Sequence, residues 1–290
     1  MIDHGLVTPD ILNILVAVPY MNGPMATALK KHSHEVRFIL DSGAFTAWKA
    51  GKQTSVDDYC RFIDELPVKP WRYFVLDVIG DPAGTIKNYE VMLKRGYRPV
   101  PIFTRGEHPS VIDDFYKTSD VVGIGGLVGT RGNKGFVNGI MRYIGDRRVH
   151  WLGFTNANYI LHYKPYMCDS SSYVSPLMFG CCSMYMGNGK FLKFRKKDFS
   201  SHPPKEIIDA LHLYQLDPKL FTKKGEWVNS GRFRNAIEHL TYRSAMWYNR
   251  ELERRSGSRV FFATVSDHHL YALSHGLDFL RKIKPSLFTA

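Results

Sequence analysis

Between Val36 and Cys168 the chain repeats one pattern: a short apolar run, then an aspartate or a glycine-rich loop, then a polar stretch of helical character. The apolar runs are 36–40, 73–76, 99–103, 121–124, 149–153 and 166–168, and the helical stretches are 56–65, 83–95, 110–117 and 156–163. Thr54 or Ser55 would cap the first helix, and Gly96 would close the second. Strands alternating with helices signal βαβ units around a parallel sheet. The chain has 290 residues, and one α/β barrel needs about 250. The expected fold is therefore a (β/α)8 TIM-like barrel forming a single domain over 1–290. A doubly wound open sheet produces the same local pattern and stays open at this point.

After Pro176 the pattern changes. Segment 178–188 is rich in glycine, cysteine and methionine, and 190–198 reads as a basic strand or hairpin. Helical patterns follow at 205–214 and 231–254, then a late strand at 260–265 and a closing helix at 268–283. This predicts a basic, helical C-terminal elaboration at about 178–255. No internal repeat and no low-complexity linker interrupts the chain.

The formal net charge is +12, and a summed field of that sign attracts polyanions, nucleic acid first among them. A basic surface tuned for solubility alone is the competing explanation. Clustering favours the first: Lys190, Lys193, Arg195, Lys196 and Lys197 interleave with Phe191, Phe194 and Phe199. Such a mixture suits phosphates and unstacked bases. Arg142, Arg147 and Arg148 form a second group, and Arg250, Arg254 and Arg255 a third. No apolar run reaches the roughly 18 residues needed to span a bilayer, and the apolar run at 11–18 lacks the setting of a signal peptide. Cys60, Cys168, Cys181 and Cys182 give no disulfide framework. A cytoplasmic protein with reduced thiols is expected.

Asp41, Asp77 and Asp169 each end a predicted strand, and Gly125-Gly126 ends another. Taken singly, an aspartate there can be the N-cap of the next helix, and glycines there can simply make tight turns. Taken together they fall where barrel enzymes assemble their active sites. Carboxylates that converge are costly unless a proton, a cation or a substrate separates them. The glycine run is too irregular for a dinucleotide fingerprint, and no phosphate-binding P-loop is present.

In colinear order from Leu40 to Ser172, the chain resembles the guanine transglycosylases, a family that includes tRNA-guanine transglycosylases and DNA-modifying relatives in phages and bacterial islands. Asp41-Ser42-Gly43-Ala44-Phe45 is similar to the family's D-S-G-G-[FY] segment. Gly125-Gly126-Leu127-Val128-Gly129 is similar to its G-G-L-x-V-G loop, and His150-Trp151-Leu152-Gly153 to its H-x-L-G strand. Pro101-Ile102-Phe103-Thr104-Arg105-Gly106 lies in the region of a glutamine-glycine motif, from which Thr104 and Arg105 depart. The resemblance implies Asp169 as covalent nucleophile and Asp41 as general acid/base. It implies a guanine pocket built from Ser42, Gly43, Phe45, Asp77, Thr104, Gly125, Gly126 and Leu127. Phe45 would stack on the base, its bland alternative being a core position under the barrel mouth.

The tRNA enzymes carry three closely spaced cysteines and a histidine that bind zinc beyond the nucleophile. Here Cys181 and Cys182 are adjacent and no cysteine follows them, so the family's zinc pattern is absent and no cofactor is expected, with zinc held through nearby histidines left open as the alternative. That departure and the short chain favour a compact DNA-acting relative of phage type, working in the host cytoplasm if phage-encoded. Its implied reaction replaces guanine in DNA with a free 7-deazaguanine base through an aspartyl-sugar intermediate. Three alternatives stand beside it: the same exchange on tRNA, a barrel that binds nucleic acid without catalysis, and a barrel hydrolase acting on a sugar or phosphate.

Overall fold

The computed structural model of the chain describes residues 10–127, 134–199 and 203–287. The chain divides into two compact units, Met1–Ser170 with Arg255–Val265, and Ser171–Arg254 with Ser266–Ala290. The segment expected as an elaboration, 178–255, falls almost entirely within the second unit.

The first unit is an α/β fold on a curled eight-stranded sheet. Its strands are β1 (Leu12–Ala17), β2 (Val36–Asp41), β3 (Arg72–Tyr73), β4 (Ile102–Phe103), β5 (Val122–Ile124), β6 (Val149–Trp151), β7 (Met167–Ser170) and β10 (Arg259–Thr264). They lie in the order β3-β2-β1-β10-β7-β6-β5-β4, and every neighbouring pair is parallel. The strand ladder is not closed between the two edges. Phe74 and Val100, just beyond β3 and just before β4, nonetheless form an isolated parallel bridge. The Val75 N–H donates to the Val100 carbonyl at 3.0 Å, and the Val100 N–H to the Tyr73 carbonyl at 2.8 Å.

Strand β1 is an inner strand, third from the β3 edge, with Ile14 opposite Phe38 of β2 and Phe262 of β10. Leu12, Ile14, Leu15 and Val16 are all buried. A strand covered on both faces carries no polar alternation, which is why this apolar run does not announce itself as a strand.

Helices α1 (Gly23–Lys31), α2 (Ala44–Lys49), α3 (Val56–Glu65), α4 (Pro82–Lys94), α5 (Ser110–Phe115), α6 (Lys134–Ile144) and α7 (Ala157–Tyr163) connect these strands. The Ser55 hydroxyl accepts the Asp58 N–H at 3.1 Å and starts α3. Asp81 does the same for α4 through the Gly84 N–H at 3.0 Å, with proline at the first helical position. Helix α6 buries Val137, Ile140, Met141 and Ile144, one face at helical spacing.

In the second unit, β8 (Cys181–Tyr185) and β9 (Phe191–Arg195) form an antiparallel hairpin. Helices α8 (Ser175–Met178), α9 (Lys205–Leu213), α10 (Ala236–Ser256) and α11 (Asp267–Leu287) complete it. Phe194, Phe199, Phe221 and Trp227 pack as a buried aromatic cluster behind the hairpin. No helix among the described residues is long and apolar enough to cross a membrane.

Candidate active site

Parallel strands put all their C-terminal ends at one edge of the sheet. Asp41 is the last residue of β2, Asp169 is the last but one of β7, Thr104 follows β4 and Gly125 follows β5. Asp77 follows the Phe74 bridge. The residues singled out between Asp41 and Asp169 thus share one edge of the first unit.

The Asp41 segment is a tight turn. The Gly43 N–H donates to Asp41 Oδ1 at 2.7 Å, and the Ser42 hydroxyl donates to Asp77 Oδ1 at 2.7 Å, tying the ends of two strands together. Gly43 has φ +73°, and a Cβ there would lie 2.3 Å from Cδ of the Pro19 ring. A proline ring cannot swing away as a flexible side chain would, so both conformation and space require glycine. Gly43→Ala is expected to cost about 1–3 kcal/mol of stability. A melting temperature unchanged from wild type would show that the turn relaxes freely.

Two carboxyls of the set are pushed away from ordinary behaviour. Burial, then the charge of Asp77, raises the Asp41 carboxyl from 3.8 to about 7. The Gly43 N–H opposes this, and Asp169 adds further repulsion. Burial raises Asp77 as well, against the lowering effect of the Ser42 hydroxyl. Asp41 and Asp77 therefore compete for negative charge, which favours the protonated form of Asp41.

Asp169 is held differently. Its Oδ1 lies 2.8 Å from His150 Nε2 and accepts the Gly153 N–H at 3.1 Å. His150 is fully buried in β6, edge-on to Phe74 with ring centroids 4.8 Å apart. A carboxylate only accepts, so this contact assigns the imidazole proton to Nε2. His150 Nδ1 has no partner among the described residues, which leaves the ring a single polar task. Both donors hold Oδ1, and among the described residues Oδ2 of Asp169 receives none. One oxygen is anchored and the other is available.

The glycine pair is shaped by β4. The Gly125 N–H donates to the Phe103 carbonyl at 2.8 Å. Gly126 has φ +71°, and a Cβ there would come within 2.9 Å of the Arg105 Cβ. Leu127 is fully buried, whereas Val128 and Gly129 lie outside the described residues. Glu107 accepts the Thr104 N–H through Oε2, and its buried Oε1 has no partner among the described residues. Burial raises the Glu107 carboxyl, more than the Thr104 N–H lowers it. Glu107 stands outside every motif, and the motif around His150 marks a strand without pointing to its pairing with Asp169. The available signals were a carboxylate three residues after Thr104, the spacing of a local cap, and a histidine inside an apolar strand.

Phe45 is 52% exposed, so it is not a core residue under the strand ends. The basic hairpin residues Lys190, Lys193, Arg195, Lys196 and Lys197 are all exposed. The interleaved aromatics do not join them at the surface: Phe194 and Phe199 are buried, and Phe191 leans on Tyr185 and Tyr248. Of the other basic groups, Arg147 pairs with Asp113 and Arg148 with Asp120, while Arg250 is buried against Glu253. The hairpin holds five exposed basic residues, and Arg142, Arg254 and Arg255 of the other groups are exposed as well. Cys181 and Cys182 sit side by side on β8, and burial pushes the Cys182 thiol up. Among the described residues, no group of three or more histidines, cysteines or acids is placed to hold a metal.

No known family model matches the chain, and no curated protein sequence matches it.

Proposed function

We propose that the first unit is a (β/α)8 barrel, its ring completed by the Phe74–Val100 bridge, and that it exchanges guanine in DNA for a 7-deazaguanine base. The observation that carries this reading is the division of labour between two neighbouring carboxyls. Asp41, raised to about 7, is poised to give and take a proton. Asp169, anchored through Oδ1 by His150 and Gly153, presents Oδ2. A retaining glycosyl transfer needs one group of each kind.

In the first half-reaction Asp169 Oδ2 attacks C1′ of the target nucleoside. The bond from C1′ to N9 of guanine breaks, its electron pair leaves with the base, and Asp41 supplies the proton. In the second half the incoming base gives its N9 proton to the Asp41 carboxylate, and N9 attacks C1′. Asp169 is released, and two displacements leave the configuration at C1′ retained. Asp77, with the backbone at Gly125 and Gly126, would recognise the exocyclic amine and carbonyl of the base. Neither half calls on a cofactor. Within a duplex the target must be extruded from the stack, at a cost of a few kcal/mol that contacts with the backbone offset. The absence of the zinc-binding cysteine spacing favours DNA over tRNA.

The test is direct. Purified protein incubated with labelled guanine and either DNA or tRNA should incorporate label into DNA, and nucleoside mass spectrometry should identify the exchanged base. Label in tRNA alone would make the chain a tRNA enzyme. Binding of nucleic acid without incorporation would make it a non-catalytic binding barrel.

A further inference from the structure

Helix α2 leaves the turn that carries Asp41 and presents two aromatic rings to solvent. Phe45 is 52% exposed and Trp48 is 57% exposed. They are three residues apart, on one face of the helix, and their rings stack with centroids 6.0 Å apart and planes 25° apart. The Lys49 ammonium lies over the Phe45 ring, 4.3 Å from its centroid. The other strongly exposed aromatic of the first unit, Tyr143, donates its hydroxyl to Asp113 and so has a structural task. Among the described residues, Phe45 and Trp48 meet each other and the Lys49 ammonium and no other aromatic ring. Rings of this size usually bury 150–250 Å² each, and leaving two side by side in water needs a reason.

The surroundings identify the kind of occupant. Lys49 and Lys52 are exposed, and neither is in an ion pair among the described residues. The acids at the start of α3 are already engaged, Asp57 with Arg95 and Asp58 with Arg61. Nearby positive charge is therefore not neutralised, while the rings offer flat apolar faces. A protein partner would want a broader apolar patch with charge at its rim. A nucleic acid strand wants rings for its bases and ammonium groups for its phosphates. The segment is also held in place: the Ala47 N–H donates to the Gly43 carbonyl and the Lys52 N–H to the Ala47 carbonyl, so the platform is fixed relative to the Asp41 turn.

We infer that Phe45, Trp48 and Lys49 form a stacking platform for an unstacked base beside the target nucleotide in a DNA strand, with Lys49 and Lys52 on the adjoining phosphates. This rests on the proposed reading of the chain as a nucleic-acid enzyme; it assigns Trp48, Lys49 and Lys52 roles that the resemblance does not, and it moves Phe45 from the exchanged base to its neighbour.

The probe is a fluorescein-labelled thymidine dodecamer, with affinity read by anisotropy and tryptophan emission followed in parallel. Trp48→Ala should weaken binding by about five- to 150-fold, the range for losing one base–aromatic stack. Trp48→Phe should recover most of the affinity but lose the quenching of tryptophan emission that wild type shows on binding. Lys49→Gln should lower the slope of log affinity against log salt by about one. Both positions are exposed, so thermal melts of all three variants should match wild type. Unchanged dodecamer affinity in Trp48→Ala overturns the inference. So does a wild-type dimer, seen by light scattering, that Trp48→Ala dissociates without loss of DNA affinity, because the rings would then be covered by a second copy. Exchange of labelled guanine by wild type separates the two readings. Exchange with unaltered binding by Trp48→Ala sinks the platform alone, and weakened binding without any exchange sinks the catalytic reading alone.

Discussion

Replacing Asp169 by asparagine is expected to abolish base exchange and leave the fold intact. The amide keeps an oxygen where Oδ1 accepts from His150 Nε2 and the Gly153 N–H, so the anchoring contacts survive. What disappears is the second carboxylate oxygen, the atom that would bond to C1′, and an amide nitrogen cannot take its place. Removal of a covalent nucleophile costs roughly ten-thousandfold or more in rate. No covalent protein–DNA adduct should accumulate on a denaturing gel, under conditions where wild type traps one. The melting temperature should stay within a few degrees of wild type, since no buried donor loses its acceptor. Near-normal exchange would refute the nucleophile assignment. Loss of exchange together with a collapsed melting temperature would make Asp169 a structural acceptor for the β6 strand, with His150 its reason for being there.

How much of this was legible beforehand differs from element to element, for physical reasons. Helix α3 is found at its expected limits because Ser55 and the acids after it carry a local start signal, and local signals survive in sequence. Strand β1 was missed because burial on both faces erases alternation. The apolar runs at 73–76 and 99–103 are longer than β3 and β4, which hold two residues each. Apolar character reports burial, and the ladder there gives way to a single bridge at Phe74 and Val100. Helix α6 is legible from the helical spacing of Val137, Ile140, Met141 and Ile144, although it is not among the helical stretches expected above. The division into two units was not legible, because the chain crosses between them at Ser170 and again near Arg255 and Val265 without any linker composition. In the site, the strand-end acids could be read from position alone. The pairing of His150 with Asp169 could not, since it depends on which residues of β6 and β7 come level, with His150 opposite Met167. The exposure of Trp48 was equally hidden, because nothing in a helical spacing says which face is covered.

Asp41→Asn should separate catalysis from stability, with opposite signs. In the folded protein the Asp41 carboxyl is raised from 3.8 to about 7 by burial and by its two acidic neighbours. A raised acid contributes stability that is fully present below the unfolded value and is lost as pH rises through the folded one. Wild type should therefore lose unfolding free energy between about pH 4 and pH 7. At about 1.36 kcal/mol per pH unit the loss has a ceiling near 4 kcal/mol. The side chain keeps some contact with solvent, and Asp77 and Asp169 share the charge, so the measured loss should fall below that ceiling. Asparagine still accepts the Gly43 N–H that Asp41 Oδ1 accepts, but it cannot ionise. The variant should be more stable than wild type at pH 8, and its stability should vary less across the interval. Exchange should move the other way, slowing by about a hundredfold or more because no proton reaches the departing base. DNA affinity should be largely kept. The rate should also lose its dependence on an ionisation near pH 7, leaving a flatter profile than wild type. Denaturant unfolding at pH 5 and pH 8, beside exchange rates over the same range, measures both halves. A variant with unchanged exchange would remove Asp41 from the proton-transfer role. A variant whose stability falls with pH as steeply as wild type would show that a different carboxyl, Asp77 or Glu107, carries the displaced ionisation.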